Sequence, residues 1–445
     1  MKIKEKQNTS FDKNLLELIK KGGVNFIFYG LNLAIVYLIG IFITKYYGSA
    51  TYGRYSIIKA LILVIIIFNT LGLNTYAIKL SSNKNHYENG FFKSNFISKS
   101  YKIIFIVSLI FTFIIYFFKK NIAIQIFGDK NLEIYLQYFP LILILSVFLN
   151  YNSNVLKGQG KVLSFSFVSS FCNNFIFIGL ILLIFNYYSS KEIYLILSLL
   201  FSFFIALIIS ITKIFPLKFQ KEVKSIRTKN ILKESFPMML SSSMIFIIFS
   251  LDTLMLGFFD TSENVGVYRI VTQVSSLNAV FLIILNSIVG PKISNFYSDS
   301  NYDEIRKVVI NASKIILFIT IPVLIFILFF STEILLFFGE EYLKARNSII
   351  ILSICQFFYA ISGFVDLILN MTGKQKVFSK ITMFSGLVNI ILNLILIPIY
   401  SIDGASIATG FSILITNILG VIYVKRKYNF LPIYLPFINK TINEN

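Results

Sequence analysis

The sequence predicts an all-α protein that crosses a membrane many times, with twelve transmembrane helices arranged as two six-helix lobes. Of its 445 residues, 56% are hydrophobic, and the mean hydropathy is +0.76. Apolar runs of roughly 18–28 residues recur along the whole chain, and each is long enough to cross a bilayer as a helix. Short motifs of the first half also return in the second half. Such a composition excludes an ordinary soluble domain.

The apolar runs set the positions of the twelve predicted spans. They lie near residues 24–44, 55–78, 101–118, 134–156, 162–185, 193–215, 231–258, 265–290, 308–330, 346–371, 378–399 and 402–424. The connections between these runs are short, so the sequence leaves no room for a soluble catalytic domain.

The basic residues predict the orientation of these spans. If the N-terminus is cytoplasmic, 30 of the 41 Lys and Arg residues lie in inner segments and only 8 lie in outer loops. Because inner loops of membrane proteins carry the excess of Lys and Arg, both termini are expected to be cytoplasmic. The net charge of +20 is then explained by the topology, because the basic inner segments lie where they contact anionic membrane lipids. It requires no nucleic-acid partner.

The two halves are predicted to be duplicated lobes joined by a basic linker. Residues 156–164 (LKGQGKVLS) match residues 371–379 (MTGKQKVFS), and residues 53–55 (GRY) match residues 266–268 (GVY) at nearly the same offset. Six spans per repeat is an even number, so both lobes share one orientation and a central cavity is expected between them. The predicted boundaries are 1–216 for the first lobe, 217–230 for the linker and 231–445 for the second lobe. The connection 213–233 is predicted to be a surface-lying helix.

Charged residues in apolar runs are the candidate functional residues, because embedded charges are costly. The span that begins near residue 265 carries Arg269, and the second span carries Lys59, with Arg54 at its outer end. Spans one to six contain no Asp or Glu, so Lys59 and Arg54 are predicted to lack acidic partners, and together with Arg269 they are predicted to bind an anion in the cavity. Three further charges, Asp252, Asp366 and Lys314, are candidates for ion coupling or for structural pairing. The structural alternatives are an Asp252–Arg269 pair and a Lys314–Asp366 pair.

Softer polar positions are predicted to line the same cavity. They are Asn25, Tyr29 and Asn32 in the first span, and Gln273 and Ser276 on the face of Arg269. For any one of them, an ordinary hydrogen bond between helices is the alternative. One histidine and two cysteines in apolar runs cannot form a metal-ligand cluster or a His- or Cys-based catalytic site. No phosphate-binding loop motif occurs either, so no cofactor and no enzymatic activity is expected.

A set of short motifs resembles one known family over nearly the full length. The motifs are 235–239 (SFPMM), 251–257 (LDTLMLG), 265–268 (VGVY), 291–294 (PKIS), 339–342 (GEEY), 372–374 (TGK) and 402–409 (IDGASIAT). In this order and spacing they resemble Wzx-type O-antigen and polysaccharide flippases. That family belongs to the multidrug/oligosaccharidyl-lipid/polysaccharide (MOP) exporter superfamily, which also contains the multidrug and toxic-compound extrusion (MATE) transporters.

The resemblance implies two six-helix bundles that form a MATE-like V around a central cavity. It implies translocation of an undecaprenyl-pyrophosphate-linked oligosaccharide repeat unit from the cytoplasmic to the outer leaflet of the cell inner membrane. Other glycan-assembly proteins are implied as possible partners. Related flippases use cavity arginines in spans one, two and eight, and Arg269 matches span eight, while Arg54 or Lys59 matches span two. The first span here has no cation, which departs from the pattern.

Three alternatives remain open at this point. A MATE-like multidrug or cation antiporter would need a membrane carboxylate, often in the first lobe, where this sequence has none. A lipid II flippase typically carries two additional spans. A membrane glycan polymerase would need a longer outer loop with catalytic side chains.

Overall fold

The computed structural model describes residues 27–81, 87–88, 91–187, 191–214, 218–224 and 227–434. The chain divides into two compact units, residues 1–250 and 251–445, with the division inside one long helix. This division lies later than the predicted linker 217–230, so residues 231–250 of the predicted second lobe belong to the first unit, and the lobe boundaries 1–216 and 231–445 stay a prediction. The predicted residue Asn25 lies outside the described residues.

The first unit is built from helices with one small sheet. Its helices are α1 (Ile27–Tyr47), α2 (Ser49–Thr70), α3 (Leu73–Ser81), α4 (Phe96–Asn121), α5 (Leu132–Gly158), α6 (Val162–Ser166), α7 (Asn173–Tyr187), α8 (Glu192–Ile214) and the first part of α9 (Thr228–Phe259). Helix α5 contacts α2, α3, α4 and α8. It therefore lies at the centre of the unit, and large buried side chains such as Tyr135, Phe139 and Tyr151 fill the space around it.

The second unit contains the end of α9 and seven further helices. They are α10 (Ser262–Ser275), α11 (Leu277–Ser298), α12 (Tyr302–Phe329), α13 (Ser331–Phe338), α14 (Arg346–Ser362), α15 (Phe364–Met371) and α16 (Gln375–Tyr428), with a 3₁₀ segment at Glu340–Ala345. Buried side chains of α11, α12, α14 and α15 form its apolar core, around Leu282, Ile316 and Phe364. Phe430, just beyond α16, closes this core.

The predicted spans coincide with helices, but their number stays a prediction. Eight described helices are long and apolar enough to cross a membrane, and the number is ten if each of two bent pairs is one span. The 54-residue α16 is itself two helices merged across Ser401, whose φ of 52° and ψ of −124° are not helical. Helix is present in each of the twelve predicted segments wherever the structure describes them. The chain is therefore a helical, multi-pass membrane protein.

The predicted span 265–290 is not one straight helix. Helices α10 and α11 meet at Ser276, where the axes of Ser262–Ser275 and Leu277–Ile283 differ by 48°. The polar stripe predicted along this span is therefore divided. Arg269 and Thr272 lie in α10, and Ser276 lies at the bend, where its hydroxyl donates to the carbonyl of Gln273 at 2.6 Å.

The predicted surface helix at 213–233 is wrong in its central part. Residues Lys218–Lys224 form strand β3, which pairs in parallel with β2 (Phe91–Ser94). Strand β2 also pairs antiparallel with β1 (Tyr87–Glu88), so the sheet order is β1-β2-β3. The local spacing of apolar residues in 213–233 fits a helix, but backbone hydrogen bonds to a segment more than a hundred residues earlier select the extended form. The spacing of apolar residues within 213–233 carries no information about this long-range pairing.

One glycine fixes the approach of two helices in the first unit. Gly72 follows α2 with φ of 76°, and an added Cβ atom would lie 2.1 Å from the carbonyl oxygen of Ser235 and 2.7 Å from the amide nitrogen of Met239. Both atoms belong to the backbone of α9, which cannot yield as a flexible side chain could. The break between α2 and α3 therefore requires glycine for its conformation and for its close contact with α9.

We predict that Gly72→Ala destabilises the protein by several kcal/mol, because a positive φ costs about 1–3 kcal/mol and overpacking costs about as much again. The midpoint of thermal unfolding in detergent measures the effect. Gly128→Ala is the matched control, since Gly128 has φ of 61° but no atom within 4 Å of an added Cβ. Equal losses in the two variants would show that the contact with α9 contributes nothing.

Candidate functional site

Arg269 is the exposed cation of a helix that is otherwise buried. Helix α10 begins after Thr261, whose hydroxyl accepts a hydrogen bond from the amide of Asn264. From Val265 to Ser275, Arg269 is exposed, Thr272 is half-buried and every other residue is buried. The burial of the remaining face holds α10 in the unit and leaves one face open. The predicted residue Gln273 is buried, so it does not share this open face.

The Arg269 guanidinium has no acidic partner among the residues that the structure describes. The predicted Asp252–Arg269 pair is therefore wrong. An unpaired cation facing lipid costs at least about 2.5 kcal/mol. The open side of α10 must consequently provide water or an anion, because no described carboxylate compensates the charge.

Asp252 is held by neutral hydrogen-bond donors. Its Oδ1 accepts from Asn393 Nδ2 at 2.6 Å, and its Oδ2 accepts from the hydroxyl of Thr409 at 2.6 Å and from that of Tyr268 at 3.5 Å. Asn393 Nδ2 also donates to Asn389 Oδ1 at 3.0 Å. The carboxylate is 6% exposed, so a buried acid joins α9, α10 and both parts of α16.

The Asp252 cluster has the chemistry of a site for a small cation. The carboxylate, the hydroxyl oxygen of Thr409 and the amide oxygen of Asn389 are hard oxygen ligands in one buried hydrogen-bond network, which the amide nitrogen of Asn393 connects. No described basic side chain forms an ion pair with Asp252. A proton or a monovalent cation would therefore neutralise a charge that the surrounding helices leave formally uncompensated. Across the described ranges, no group of three or more His, Cys, Asp or Glu side chains is placed to hold a metal ion.

Arg54 in the first unit is an ion-paired residue. Its Nε lies 2.6 Å from Asp129 Oδ2, and its Nη1 lies 2.6 Å from Glu192 Oε1. The hydroxyl of Thr51 donates to the same Glu192 oxygen at 3.0 Å. The prediction that Arg54 lacks an acidic partner is therefore wrong. Asp129 lies between α4 and α5, and Glu192 begins α8, so both acids come from the ends of helices rather than from within the apolar runs.

Lys59 lies one turn further along α2 and contacts aromatic rings. Its Nζ is 5.8 Å from the ring centroid of Tyr55 and 5.2 Å from that of Phe203. The side chain is half-buried. Both rings present electron-rich faces to the ammonium group, which stabilises a cation in an apolar environment. A role of Lys59 in anion binding stays a prediction.

The other predicted residues are separate from these clusters. Lys314 and Asp366 do not pair: the Nζ of Lys314 lies 5.5 Å from the ring centroid of Tyr434, and Asp366 Oδ1 accepts from the amide of Leu367. Asp366 is in the first turn of α15, where a helix favours a carboxylate.

Asn32 accepts from Asn174 Nδ2 at 2.8 Å, and Tyr29 is half-buried nearby on α1. This amide pair is the predicted alternative of an ordinary contact between helices.

Sequence reasoning missed four residues of these clusters: Asp129, Glu192, Tyr268 and Thr409. A search restricted to apolar runs excludes the first two, because they lie just beyond the ends of helices. A search for charged residues at the same predicted depth in the membrane would have found Asp129 and Glu192, because Arg54 also lies at the outer end of its predicted span. Tyr268 and Thr409 carry no charge, so the search for embedded charges did not select them, although they end two of the short motifs, 265–268 and 402–409.

Comparison with sequence families gives two matches. The profile described as "Polysaccharide biosynthesis protein" matches residues 18–297, which is more than half of the chain. The profile described as "MatE" matches residues 237–395.

Two curated relatives carry names related to surface glycans. The probable low-salt glycan biosynthesis flippase Agl15 of Haloferax volcanii is 28% identical over 175 residues, which is 39% of this chain and 37% of that protein. The capsular polysaccharide biosynthesis protein CapF of Staphylococcus aureus is 25% identical over 235 residues, which is 53% of this chain and 59% of that protein. The chain thus covers less than two thirds of either relative.

Two solved structures have the same fold. The lipid II flippase MurJ in an inward closed conformation has a TM-score of 0.74 at 20% identity, over 92% of this chain and 87% of that one. A multidrug resistance MATE family transporter of the MOP superfamily, in an inward-facing conformation, has a TM-score of 0.72 at 14% identity, over 91% of this chain and 94% of that one. The fold is therefore MATE-like, as the sequence predicts.

We predict that Arg54→Ala lowers the free energy of unfolding by about 3 kcal/mol, because it leaves two neighbouring carboxylates without their cation. Thermal unfolding in detergent measures this loss. Arg269→Ala is the matched control and should leave the midpoint unchanged, since it breaks no described ion pair. An Arg54→Ala variant of normal stability that no longer supports glycan export would instead give Arg54 the substrate-binding role predicted from the sequence.

Proposed function

The chain belongs to the polysaccharide biosynthesis protein family, and we propose that it is a flippase that translocates lipid-linked oligosaccharides across a membrane. The proposed substrate is an undecaprenyl-pyrophosphate-linked repeat unit of a surface polysaccharide, such as an O-antigen or a capsule. Translocation would run from the cytoplasmic to the outer leaflet of the cell inner membrane by alternating access. Both termini would lie in the cytoplasm, in agreement with the distribution of Lys and Arg.

The observation that carries the proposal is the exposed guanidinium of Arg269 on α10, which has no acidic partner among the described residues. A lipid-linked diphosphate carries two negative charges on tetrahedral phosphoryl groups, and the planar guanidinium group can donate two parallel hydrogen bonds to two oxygens of such a group. Thr272, one turn further along, lies on the same side of the helix, but its hydroxyl donates to the backbone carbonyl of Arg269 at 2.9 Å and therefore offers the diphosphate no free donor. The glycan needs a hydrated polar path, while the prenyl tail can remain in lipid. Lys59 remains a candidate second cation for the diphosphate.

Asp252 is the proposed coupling residue. Its carboxylate joins α9 and α10 to both parts of α16, so its charge state affects how these helices pack. Binding of H⁺ or Na⁺ there would favour one arrangement of the helices over another, which is how an ion gradient can drive transport. Asp366 remains a second candidate because it is also an acid inside a predicted span.

A multidrug or cation antiporter is the second candidate function. The MatE profile match favours it, as does the carboxylate of Asp252, which forms no ion pair with a described basic side chain. The exposed cation Arg269 disfavours it, because a cationic drug would be repelled at that position. Export of ethidium by cells that express the protein, without an effect on surface glycan, would select this candidate.

We predict that Arg269→Ala abolishes most translocation, because an anion that is held by two charge-assisted hydrogen bonds loses them both. The measurement is flipping of a fluorescent lipid-linked oligosaccharide diphosphate in proteoliposomes, with the amount of protein determined in parallel. Arg269→Lys should retain part of the rate, since it keeps the charge but loses the bidentate geometry. Arg346→Ala, which removes an exposed arginine at the start of α14, is the control and should translocate normally. Normal flipping by Arg269→Ala would remove this residue from the mechanism.

We predict that flipping by Asp252→Asn is no longer stimulated by an imposed H⁺ or Na⁺ gradient. The asparagine amide is not protonated near neutral pH, and it has no negative charge that could bind a cation. Substrate binding, measured without a gradient, should remain. Asp299→Asn is the control, as it also neutralises an acid in the same unit but lies at the end of α11, outside the predicted spans. If Asp252→Asn responds to both gradients as the unmodified protein does, the coupling role is wrong.

A further inference from the structure

Helices α4 and α12 share one pattern of burial at a constant spacing. The buried residues Ile97, Ile104, Ser108 and Ile115 of α4 correspond to the buried residues Val309, Ile316, Thr320 and Ile327 of α12, each 212 positions later. This offset is close to the offsets at which the sequence motifs recur. The two helices are therefore counterparts of a duplication, one in each unit.

The opposite faces of these helices are exposed and apolar in the same register. The exposed residues Ile106, Leu109, Phe113 and Phe117 of α4 correspond to Phe318, Ile321, Ile325 and Phe329 of α12, again 212 positions later. Phe117 is 71% exposed and Phe329 is 80% exposed. Large apolar side chains so exposed on membrane-crossing helices face the acyl chains of lipids. We call each set a lipid stripe.

One lysine heads each lipid stripe. Lys102 precedes Ile106 by four residues, and Lys314 precedes Phe318 by four residues, so each lies on the exposed face of its helix. The two lysines are also 212 positions apart. Both are exposed, and no acidic side chain of the described residues pairs with either one. Both lie in the halves of their helices that the distribution of Lys and Arg places on the cytoplasmic side.

A lysine in this position needs an anion at the level of the lipid headgroups. Its four-carbon side chain can lie along the apolar stripe while the ammonium extends to the interface. Lys307, two turns before Lys314, already pairs with Glu304 at 2.7 Å, so its charge is compensated. Lys314 has instead the ring of Tyr434 beside it, which stabilises the ammonium group but leaves room for a phosphate oxygen.

We propose that Lys102 and Lys314 bind the phosphate groups of two anionic glycerophospholipids of the cytoplasmic leaflet, one on each unit. The acyl chains of each lipid lie along the lipid stripe that follows the lysine. A bulk phospholipid fits these positions better than the transported lipid does, because the sites are duplicated, with one on each unit. Both lysines lie on exposed apolar helix faces, which is where annular lipids contact a membrane protein.

Native mass spectrometry of the purified protein with phosphatidylglycerol tests the proposal. Lys102→Ala and Lys314→Ala should each weaken binding of one phosphatidylglycerol about fivefold, as expected for one basic residue at an anionic surface. The double variant should lose preference for phosphatidylglycerol over phosphatidylcholine at both sites, and Lys314→Arg should retain it. Lys120→Ala, at the other end of α4, and Lys307→Ala are matched controls that should bind as the unmodified protein does. Unchanged binding by the double variant, or no preference for phosphatidylglycerol in the unmodified protein, overturns the proposal.

A second arm distinguishes the source of the phosphate. Geranylgeranyl diphosphate is added to the protein in phosphatidylcholine nanodiscs, where its binding should not depend on Lys102 or Lys314. If the double variant loses binding of the prenyl diphosphate and keeps that of phosphatidylglycerol, the two lysines serve the transported lipid and the phospholipid proposal is wrong. Because this binding is measured without transport, its result does not depend on the role of Arg269.

Discussion

Compensation of embedded charge is the constraint on which the structure depends. A charged side chain inside a bilayer is costly unless another charge, a polar group, an aromatic face or water compensates it. This chain uses each means at a different position. Arg54 has two carboxylates, Lys59 has two aromatic rings, and Asp252 has hydroxyl and amide donors. Arg269 has none of these among the described residues, and that difference separates a candidate binding residue from structural ones.

The two charged clusters of the second unit can be linked through α9 and α10. Tyr268 reaches the Asp252 carboxylate and the hydroxyl of Thr409, and the next residue in the chain is Arg269. A change of charge at Asp252 therefore acts on a helix that also carries the proposed anion-binding residue. Since Thr409 lies beyond the break at Ser401, the same change acts on the second part of α16. This arrangement would give a coupling ion a physical route to the proposed anion-binding residue within one unit.

The lipid stripes are subject to the same constraint on embedded charge, at the surface that faces lipid. On α4 and α12, the apolar residues need no compensation because lipid surrounds them, and each stripe begins with a lysine at the place where headgroups are available. The basic residues of the chain thus fall into separate groups: Arg54 pairs with carboxylates, while orientation in the membrane and binding of phosphate groups are proposed uses of the others.

The sequence by itself determined the helical membrane fold, the positions of the spans and the family, because apolar runs of bilayer length and short motifs are local properties of the chain. It also identified Arg269 and Asp252, since a charge in an apolar run is visible without coordinates. Only the tertiary structure decided which charges are compensated, because the partners are distant in the sequence. Those of Arg54 come from helix ends about 75 and 138 positions later. Asn393 and Thr409, which bind Asp252, come about 141 and 157 positions later. The tertiary structure also decided that 218–224 is a strand and that the span of Arg269 bends at Ser276. The physical reason is that long-range contacts select among local conformations that periodicity leaves nearly equal in free energy.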